Sequence, residues 1–348
     1  MKPTRVLIVD DSLTIRQLLR ARLRSNPQIE VVGEASDPFE AREKIKLLHP
    51  DVITLDVEMP RMNGLEFLEK LMRLRPMPVV MISTLTSKGS TEALEALSLG
   101  AFDCIAKPSA ECLPETFAYL GDLLIAAANA RIRTPGARPV AKPVSGFQWN
   151  GMFVLIGSST GGVDALETVL SEYPEDCPPT LIVQHMPESF LSSFATRLNN
   201  RIAPRLELAS QGAPLVQGQI YLAPGGAYHL GVNAGTVPTC NLFAADKRSG
   251  HRPSVDHVFE SALPIASRCL GVMLTGMGRD GAEQMLRLRQ GGARCIAQDE
   301  LSSVVYGMPR VALELGAAER PVTLHKIASE ILSITGTKPQ IPTRRECA

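Results

Sequence analysis

The stretch VLIVDDS, residues 6–12, decides the fold of this chain. Four consecutive apolar residues, three of them β-branched, break at once into paired carboxylates. A run this short and continuous is the signature of a buried parallel strand, and the abrupt change puts Asp10 and Asp11 at its carboxyl end. Working outward, the signature recurs in VVGEA (31–35), DVITLD (51–56), PVVMIS (78–83) and CIA (104–106), with helix-like runs at 13–24 and 38–48. Strands alternating with helices predict an open, five-stranded α/β sheet. The stretch 133–149, RTPGARPVAKPVSGFQW, has the Pro and Gly content of a linker and no apolar periodicity. It divides the chain into a first domain (1–130), a linker (131–150) and a second domain (151–348). Beyond it the pattern restarts with MFVLIG (152–157), TLIVQH (180–185), QIYLAP (219–224), LGVMLTG (270–276) and ARCIA (293–297). Helix-like runs lie at 162–172, 189–200, 255–267 and 281–290, and the tail from 335 is expected to fray. The second domain is therefore also α/β.

Bulk composition agrees with two folded domains. The chain has 348 residues, 45% of them apolar, enough for two cores. Lys plus Arg and Asp plus Glu each number 36, so no net charge draws it to nucleic acid or to an anionic membrane. None of the seven cysteines forms a C-x-x-C pair, which argues against zinc or a disulfide framework and for a reducing compartment. The apolar run of MKPTRVLIVDDS is too short for a signal peptide, and no stretch approaches the roughly 18 apolar residues of a membrane span. A soluble, cytoplasmic protein without membrane insertion is expected.

The first domain carries an acidic cluster. Asp10, Asp11 and Asp56 all sit at strand carboxyl ends, the edge where open α/β sheets bind ligands. Three carboxylates there repel one another, and a divalent cation relieves the repulsion; oxygen-only ligands favour Mg2+. A carboxylate beside such an ion can attack a phosphoryl donor and form an aspartyl phosphate. Ser83, ending the fourth strand, and Lys107, ending the fifth, are placed to hold the phosphoryl oxygens. Taken singly, such residues are often caps, turns or solvated charges, but all five lie at strand ends. With VDDS, LDVEMPRMNG, MIS and KP in this order, residues 5–108 resemble a response-regulator receiver, which has a flavodoxin-like fold. The resemblance implies Asp56 as phosphoacceptor, Asp10, Asp11 and Asp56 as metal ligands joined by the Glu58 carbonyl, and a histidine kinase as donor. One departure stands out: Cys104 occupies the position where receivers often carry an aromatic switch residue.

The second domain carries GSSTGG, Gly157–Gly162, between a strand and a helix, with Ser159 at the centre of a G-x-S-x-G. Small neighbours permit the sharp turn that projects a nucleophile, and the helix N-terminus behind it offers N–H donors to an oxyanion. The loop alone fits a phosphate site equally well, although the dinucleotide and P-loop spacings are absent. The remaining residues favour hydrolysis. A serine nucleophile needs a base, and His185 ends a strand at the same edge; His229, His251 and His257 lie in less regular surroundings. Asp280 follows LGVMLTG on a glycine-rich loop and suits the carboxylate that orients the base. Asp164 and Asp256 compete, but they fall in or near helices, away from that edge. The Met277 N–H on the same loop suits an oxyanion hole. The order Ser, His, Asp differs from that of α/β-hydrolases and suggests a Rossmann-like, doubly wound solution to the same geometry.

IGSSTGG, QHMP, YLAPGG, RPSVD and LTGMGRDG make residues 152–334 similar to the chemotaxis methylesterase domain. With the receiver, the resemblance to the CheB family covers nearly the whole chain. It implies Ser159 as nucleophile, His185 as base, Asp280 as orienting acid and Met277 as oxyanion donor. It further implies methyl-accepting chemotaxis receptors as substrate, demethylated and deamidated in signal adaptation, and the histidine kinase CheA as phosphodonor. Mg2+ serves phosphorylation and no cofactor serves ester hydrolysis; the unphosphorylated receiver covers Ser159. RPSVD is assigned no role. A DNA-binding output domain would need a basic recognition helix, and no helix-turn-helix pattern is present. A catalytically dead binding module would lack part of the triad, and all three candidates stand.

Overall fold

Val6, Leu7, Ile8 and Val9 are almost wholly buried in the middle of a parallel sheet. A computed structural model describes residues 2–83, 87–107, 119–130 and 147–337, apart from the side chains of 87–90. Pro108, the stretch 131–146 of the expected linker and the tail 338–348 lie outside the described residues.

The first sheet contains β1 (Thr4–Val9), β2 (Ile29–Ala35), β3 (Val52–Asp56), β4 (Val79–Ser83) and β5 (Asp103–Ala106), in the order β2-β1-β3-β4-β5. Every pairing is parallel, which is the flavodoxin-like arrangement. The expected helices are α1 (Leu13–Arg24) and α2 (Pro38–Leu48), started by the Ser12 and Asp37 side chains accepting from first-turn N–H groups. Helices α3 (Gly64–Leu74), α4 (Ser87–Ser98) and α5 (Leu120–Asn129) complete this half. Gly64 must be glycine: a Cβ there would lie 2.0 Å from the Asp56 carbonyl oxygen.

The second sheet has seven strands, β14-β13-β12-β6-β7-β9-β8, also parallel throughout. They are β6 (Phe153–Ser158), β7 (Thr180–Gln184), β8 (Arg205–Leu208), β9 (Gln219–Leu222), β12 (Cys269–Met273), β13 (Arg294–Gln298) and β14 (Pro321–Val322), with a separate hairpin β10 (Tyr228–Asn233) and β11 (Thr239–Ala244). Helices α6 (Gly162–Leu170), α7 (Glu188–Asn199), α8 (Val255–Ser261), α9 (Ala282–Gln290), α10 (Met308–Glu314) and α11 (Leu324–Thr335) pack around them. The chain winds outward from β6 in both directions, so β6 and β12 flank a topological switch point, where such sheets open a crevice. The helix expected over 255–267 is shorter: α8 ends at Ser261, and a 3-10 helix follows over Leu263–Arg268 with Pro264 in its first turn. Proline lacks the N–H that would continue the α-helix. β8 and β11 are mostly half-exposed, β14 has only two residues, and β10, though buried over His229–Val232, has its apolar run interrupted by His229 and Gly231; none shows the continuous run that announces a buried strand. Asn150 already bonds to Ile334 and Thr335, and Thr337 to Gln148, so both ends of the second half are tied together.

The two halves meet over a mixed interface. Leu94 of α4 is buried among Leu191 and Phe194 of α7, while Phe190 is buried with the first half's core. Arg197 of α7 reaches Glu167 at 2.7 Å and the Leu94 carbonyl at 3.0 Å, and also donates to the Ser98 hydroxyl. Among the described residues no helix is long and apolar enough to cross a membrane.

Candidate active site

Ser159 leaves the end of β6 and His185 the end of β7. The two turns are stitched together: His185 N donates to Ser158 O (3.1 Å), and Gln184 Nε2 donates to Ser159 O (2.9 Å). From the other side, Ser159 N donates to Thr275 O just beyond β12 (3.0 Å). Gly276 makes that approach possible, since a Cβ there would sit 2.8 Å from the Ser159 Cβ. The β6 turn passes through Gly161 at φ +77°, a left-handed conformation that favours glycine, and enters α6.

His185 Nε2 lies 2.7 Å from Asp280 Oδ2. The Asp280 carboxylate is almost wholly buried and also accepts from Ser254 Oγ (2.8 Å), Val255 N (2.7 Å) and Asp256 N (3.2 Å). Burial pushes this carboxyl up, but the His185 bond and charge, the Val255 N–H and the Ser254 hydroxyl outweigh it and hold the group below the ordinary value of 3.8. With Asp280 engaging Nε2, the other ring nitrogen of His185, Nδ1, is buried without a hydrogen-bond partner. Ser159, His185 and Met277 line one cleft of about 860 Å3.

These contacts give RPSVD a structural role: Ser254 and the first N–H groups of α8 hold Asp280, an anion at a helix N-terminus. They also correct the expectation that Asp256 lies away from the site. Asp256 Oδ1 accepts from Gly281 N at 3.1 Å, and burial followed by the Asp280 charge raises its carboxyl to about 6. His251 is the residue that sequence reasoning passed over most completely. Its ring stacks on that of His185 with centroids 3.7 Å apart and planes 7° from parallel. His229, also set aside, accepts from Ser254 N through Nδ1 at 3.2 Å. Asp164 lies in α6.

The cleft is roofed by the first half. Asp103, Cys104 and Lys107 from β5 and its end line it together with Tyr119. Asp103 Oδ2 accepts from the hydroxyl of Thr160, the residue after Ser159, at 2.7 Å. Burial raises the Asp103 carboxyl to about 6 despite that bond.

At the carboxyl edge of the first sheet, Asp10, Asp11 and Asp56 bring one oxygen each within 4.8 Å of one another. Lys107 Nζ lies 2.7 Å from Asp56 and 3.5 Å from Asp10. Burial, then the Asp10 charge, raise Asp56 to about 6 against the pull of Lys107. Burial also raises Asp10 against the Lys107 charge; its Oδ2 has only that ammonium, at 3.5 Å, and no closer partner. An all-oxygen donor set, with one buried oxygen met only by the distant Lys107 ammonium, fits a hard divalent cation such as Mg2+. Ser83 is buried at the end of β4, the strand next to β3. Of the seven cysteines, Cys104, Cys177, Cys240, Cys269 and Cys295 are buried and free; Cys112 and Cys347 lie outside the described residues.

Two family profiles match the chain: the one described as CheB methylesterase over residues 154–331, and the one described as response regulator receiver domain over residues 6–115. A protein-glutamate methylesterase/protein-glutamine glutaminase of Caulobacter vibrioides is 52% identical over 343 residues, covering 97% of this chain and 100% of its own. The enzyme of the same description from Agrobacterium fabrum is 52% identical over 345 residues, covering 97% and 98%. The crystal structure of the Thermotoga maritima CheB methylesterase catalytic domain aligns at 35% identity with a TM-score of 0.51, covering 53% of this chain and 99% of that one.

Proposed function

Because the chain belongs to the CheB methylesterase family and carries a receiver domain, we propose that it is a phosphorylation-activated protein-glutamate methylesterase. It hydrolyses glutamate γ-methyl esters on methyl-accepting chemotaxis receptors and deamidates receptor glutamines. The observation that carries the catalytic assignment is the bond from His185 to the buried Asp280, in the cleft that Ser159 lines. Its domains are 1–130 and 151–348, joined through 131–150, and its place is the cytoplasm.

In the proposed reaction Ser159 Oγ attacks the ester carbonyl. His185 takes the serine proton on Nδ1, and Asp280 keeps the second proton on Nε2 and steadies the imidazolium. The Met277 N–H stabilises the oxyanion. The imidazolium returns its proton to the departing methanol, and water activated by His185 then releases the glutamate. Ammonia leaves instead when the substrate is a glutamine. Ester hydrolysis needs no cofactor.

Phosphorylation takes place on Asp56, with the histidine kinase CheA as donor. Asp10, Asp11, Asp56 and the Glu58 carbonyl would hold a Mg2+ ion, which would supply positive charge between the carboxylates and the incoming phosphoryl group. Lys107 gives up its bond to the Asp56 carboxylate and pairs with the phosphoryl oxygens, which Ser83 also contacts. Magnesium should therefore raise the melting temperature near neutral pH. The gain should shrink as pH falls through about 6, where a proton occupies Asp56 in place of the cation. Asp10→Ala should abolish it; an undiminished gain in that variant would take these carboxylates out of the metal site.

The docked receiver is the inactive state, and Asp103 helps to hold it over the cleft. A hydrogen bond to a charged group contributes roughly 1.5–3 kcal/mol, so losing it shifts the docking equilibrium substantially. Asp103→Ala should raise the methanol release of the unphosphorylated protein by about five-fold or more, and phosphodonor should then activate it less than wild type. Equal basal rates in the two proteins would remove Asp103 from the restraint. The whole assignment is tested by methanol release from methyl-labelled receptor membranes with and without acetyl phosphate and magnesium. Activation by the phosphodonor is expected, and no release under either condition, with the receiver phosphorylated, would overturn it.

A further inference from the structure

We infer that His251 is a positioning residue for the hydrolysis, its ring face fixing the tilt of the His185 imidazole. The inference rests on the catalytic assignment above and adds a residue to it. Beyond its own Cβ, the His185 imidazole is anchored by a single hydrogen bond, Nε2 to Asp280, which leaves it free to swing about the line from Cβ to Nε2. Such a swing sweeps Nδ1 through an arc, and a general base out of line with its proton loses most of its effect. The parallel ring of His251, 3.7 Å away between centroids, closes off the swing on one side. The bond sets where the ring is anchored, and the stack sets its plane.

His251 is itself held firmly. It closes a tight turn in which Arg248 and His251 exchange backbone hydrogen bonds of 3.0 and 2.9 Å. Ser249 and Gly250, between them, have φ of +53° and +83°. Arg248 is bound to Glu260 of α8 and lies 3.5 Å from Asp256, while the Ser249 hydroxyl donates to Asp256 at 3.1 Å. On the other side Arg252 donates to Gly226 O (2.6 Å) and Ala245 O (3.0 Å). The start of α8 that is braced in this way is the element that holds Asp280. One short segment, 248–256, thus fixes both constraints on His185.

The chemistry also favours a ring at this position. When His185 takes the serine proton it becomes cationic, and a neutral aromatic face stabilises a cation beside it. His251 stays neutral through that step, because burial and then the His185 charge lower it to about 3. A phenyl ring would offer the same face and the same barrier to tilting, whereas an aliphatic side chain offers neither.

The test uses the full-length chain, phosphorylated with acetyl phosphate and magnesium, and methyl-labelled receptor membranes. His251→Ala is expected to lower kcat about ten-fold or more with KM within about two-fold, and His251→Phe to recover most of that loss. In His-selective nitrogen-labelled protein, the His185 Nε2–H resonance should stay sharp in His251→Phe and broaden in His251→Ala. If His251→Ala does not fold, His251→Gln, polar and without a ring face, replaces it in the comparison. A kcat within two-fold of wild type in the ring-less variant would overturn the inference. So would equal losses in the Phe and the ring-less variants with the His185 resonance sharp in both. Ser159→Ala is run alongside: activity surviving there would instead count against the nucleophile assignment, which keeps the two failures distinct.

Discussion

Ser159→Ala is expected to abolish methanol release, with kcat falling by about 10⁴-fold or more and folding unchanged. The alanine removes only the attacking oxygen. The turn around it is held through the Ser159 main chain, whose N–H donates to Thr275 O and whose carbonyl accepts from the Gln184 side-chain amide, and neither bond needs the serine side chain. What remains is the acceleration that an oxyanion donor and binding supply without a nucleophile, the pattern found when a member of a serine triad is deleted. Removing His185 as well should cost little more, because a base without a nucleophile has nothing to activate. The measurement is labelled methanol released by the phosphorylated wild type and variant, with thermal melting as the folding control. Retention of more than about a tenth of the wild-type rate would mean that another group attacks the ester.

Asp280→Asn should lower kcat by about 10³-fold or more and destabilise the second domain at the same time. The two Asp280 oxygens accept from four donors: His185 and Val255 on Oδ2, Ser254 and Asp256 on Oδ1. An amide turns one of those oxygens into a donor. If the amide nitrogen faces His185, the imidazole must accept through Nε2, its proton moves to Nδ1, and it can no longer act as a base toward serine. If it faces Ser254 and Asp256, two donors around the start of α8 lose their acceptor in a buried site, at roughly 1–3 kcal/mol each. The pH dependence has a definite sign. The native carboxyl lies below 3.8, so its contribution to stability is fully present above that value. It is lost only as pH falls further, through the native-state value. Denaturant titrations of both proteins should therefore show a constant stability gap at neutral and mildly acidic pH, narrowing only in stronger acid. A gap that closes already between neutral pH and about 5 would mean that the carboxylate is not held by these donors.

Control by phosphorylation has a short physical route in this arrangement. Lys107, bonded to Asp56, and Asp103, bonded to Thr160, stand at opposite ends of β5, the edge strand that faces the cleft. The Lys107 N–H also donates to Ser83 O. Breaking the Lys107–Asp56 pair therefore acts on the strand that contacts the Ser159 loop. Cys104, where an aromatic switch residue is usual, is buried in the receiver core, next to Asp103.

Much of this protein was legible in the sequence because strand identity is local information. An uninterrupted β-branched run ending in a carboxylate, a serine or a histidine announces a buried strand and its carboxyl edge. The strand-end positions of Asp10, Asp56, Ser83 and His185 followed from that rule, as did the two parallel sheets; Lys107 came from the end of CIA, and Ser159 from the loop GSSTGG. Chain order and glycine-rich loops brought Asp280 into view. Only the tertiary structure decided what those residues touch. His185 and Asp280 are 95 residues apart and meet because β7 and β12 both neighbour β6. Asp256 looked remote in its helix, yet it packs against the Asp280 loop because the first turn of α8 is aimed at that loop. His251 had no periodic signal at all; a tight turn, anchored by Arg248 to α8, lays it on His185. Periodicity encodes which face of an element is buried, whereas the stack, the carboxylate's four donors and the Thr160–Asp103 contact depend on where separate loops converge, which is set by the packing of the whole chain.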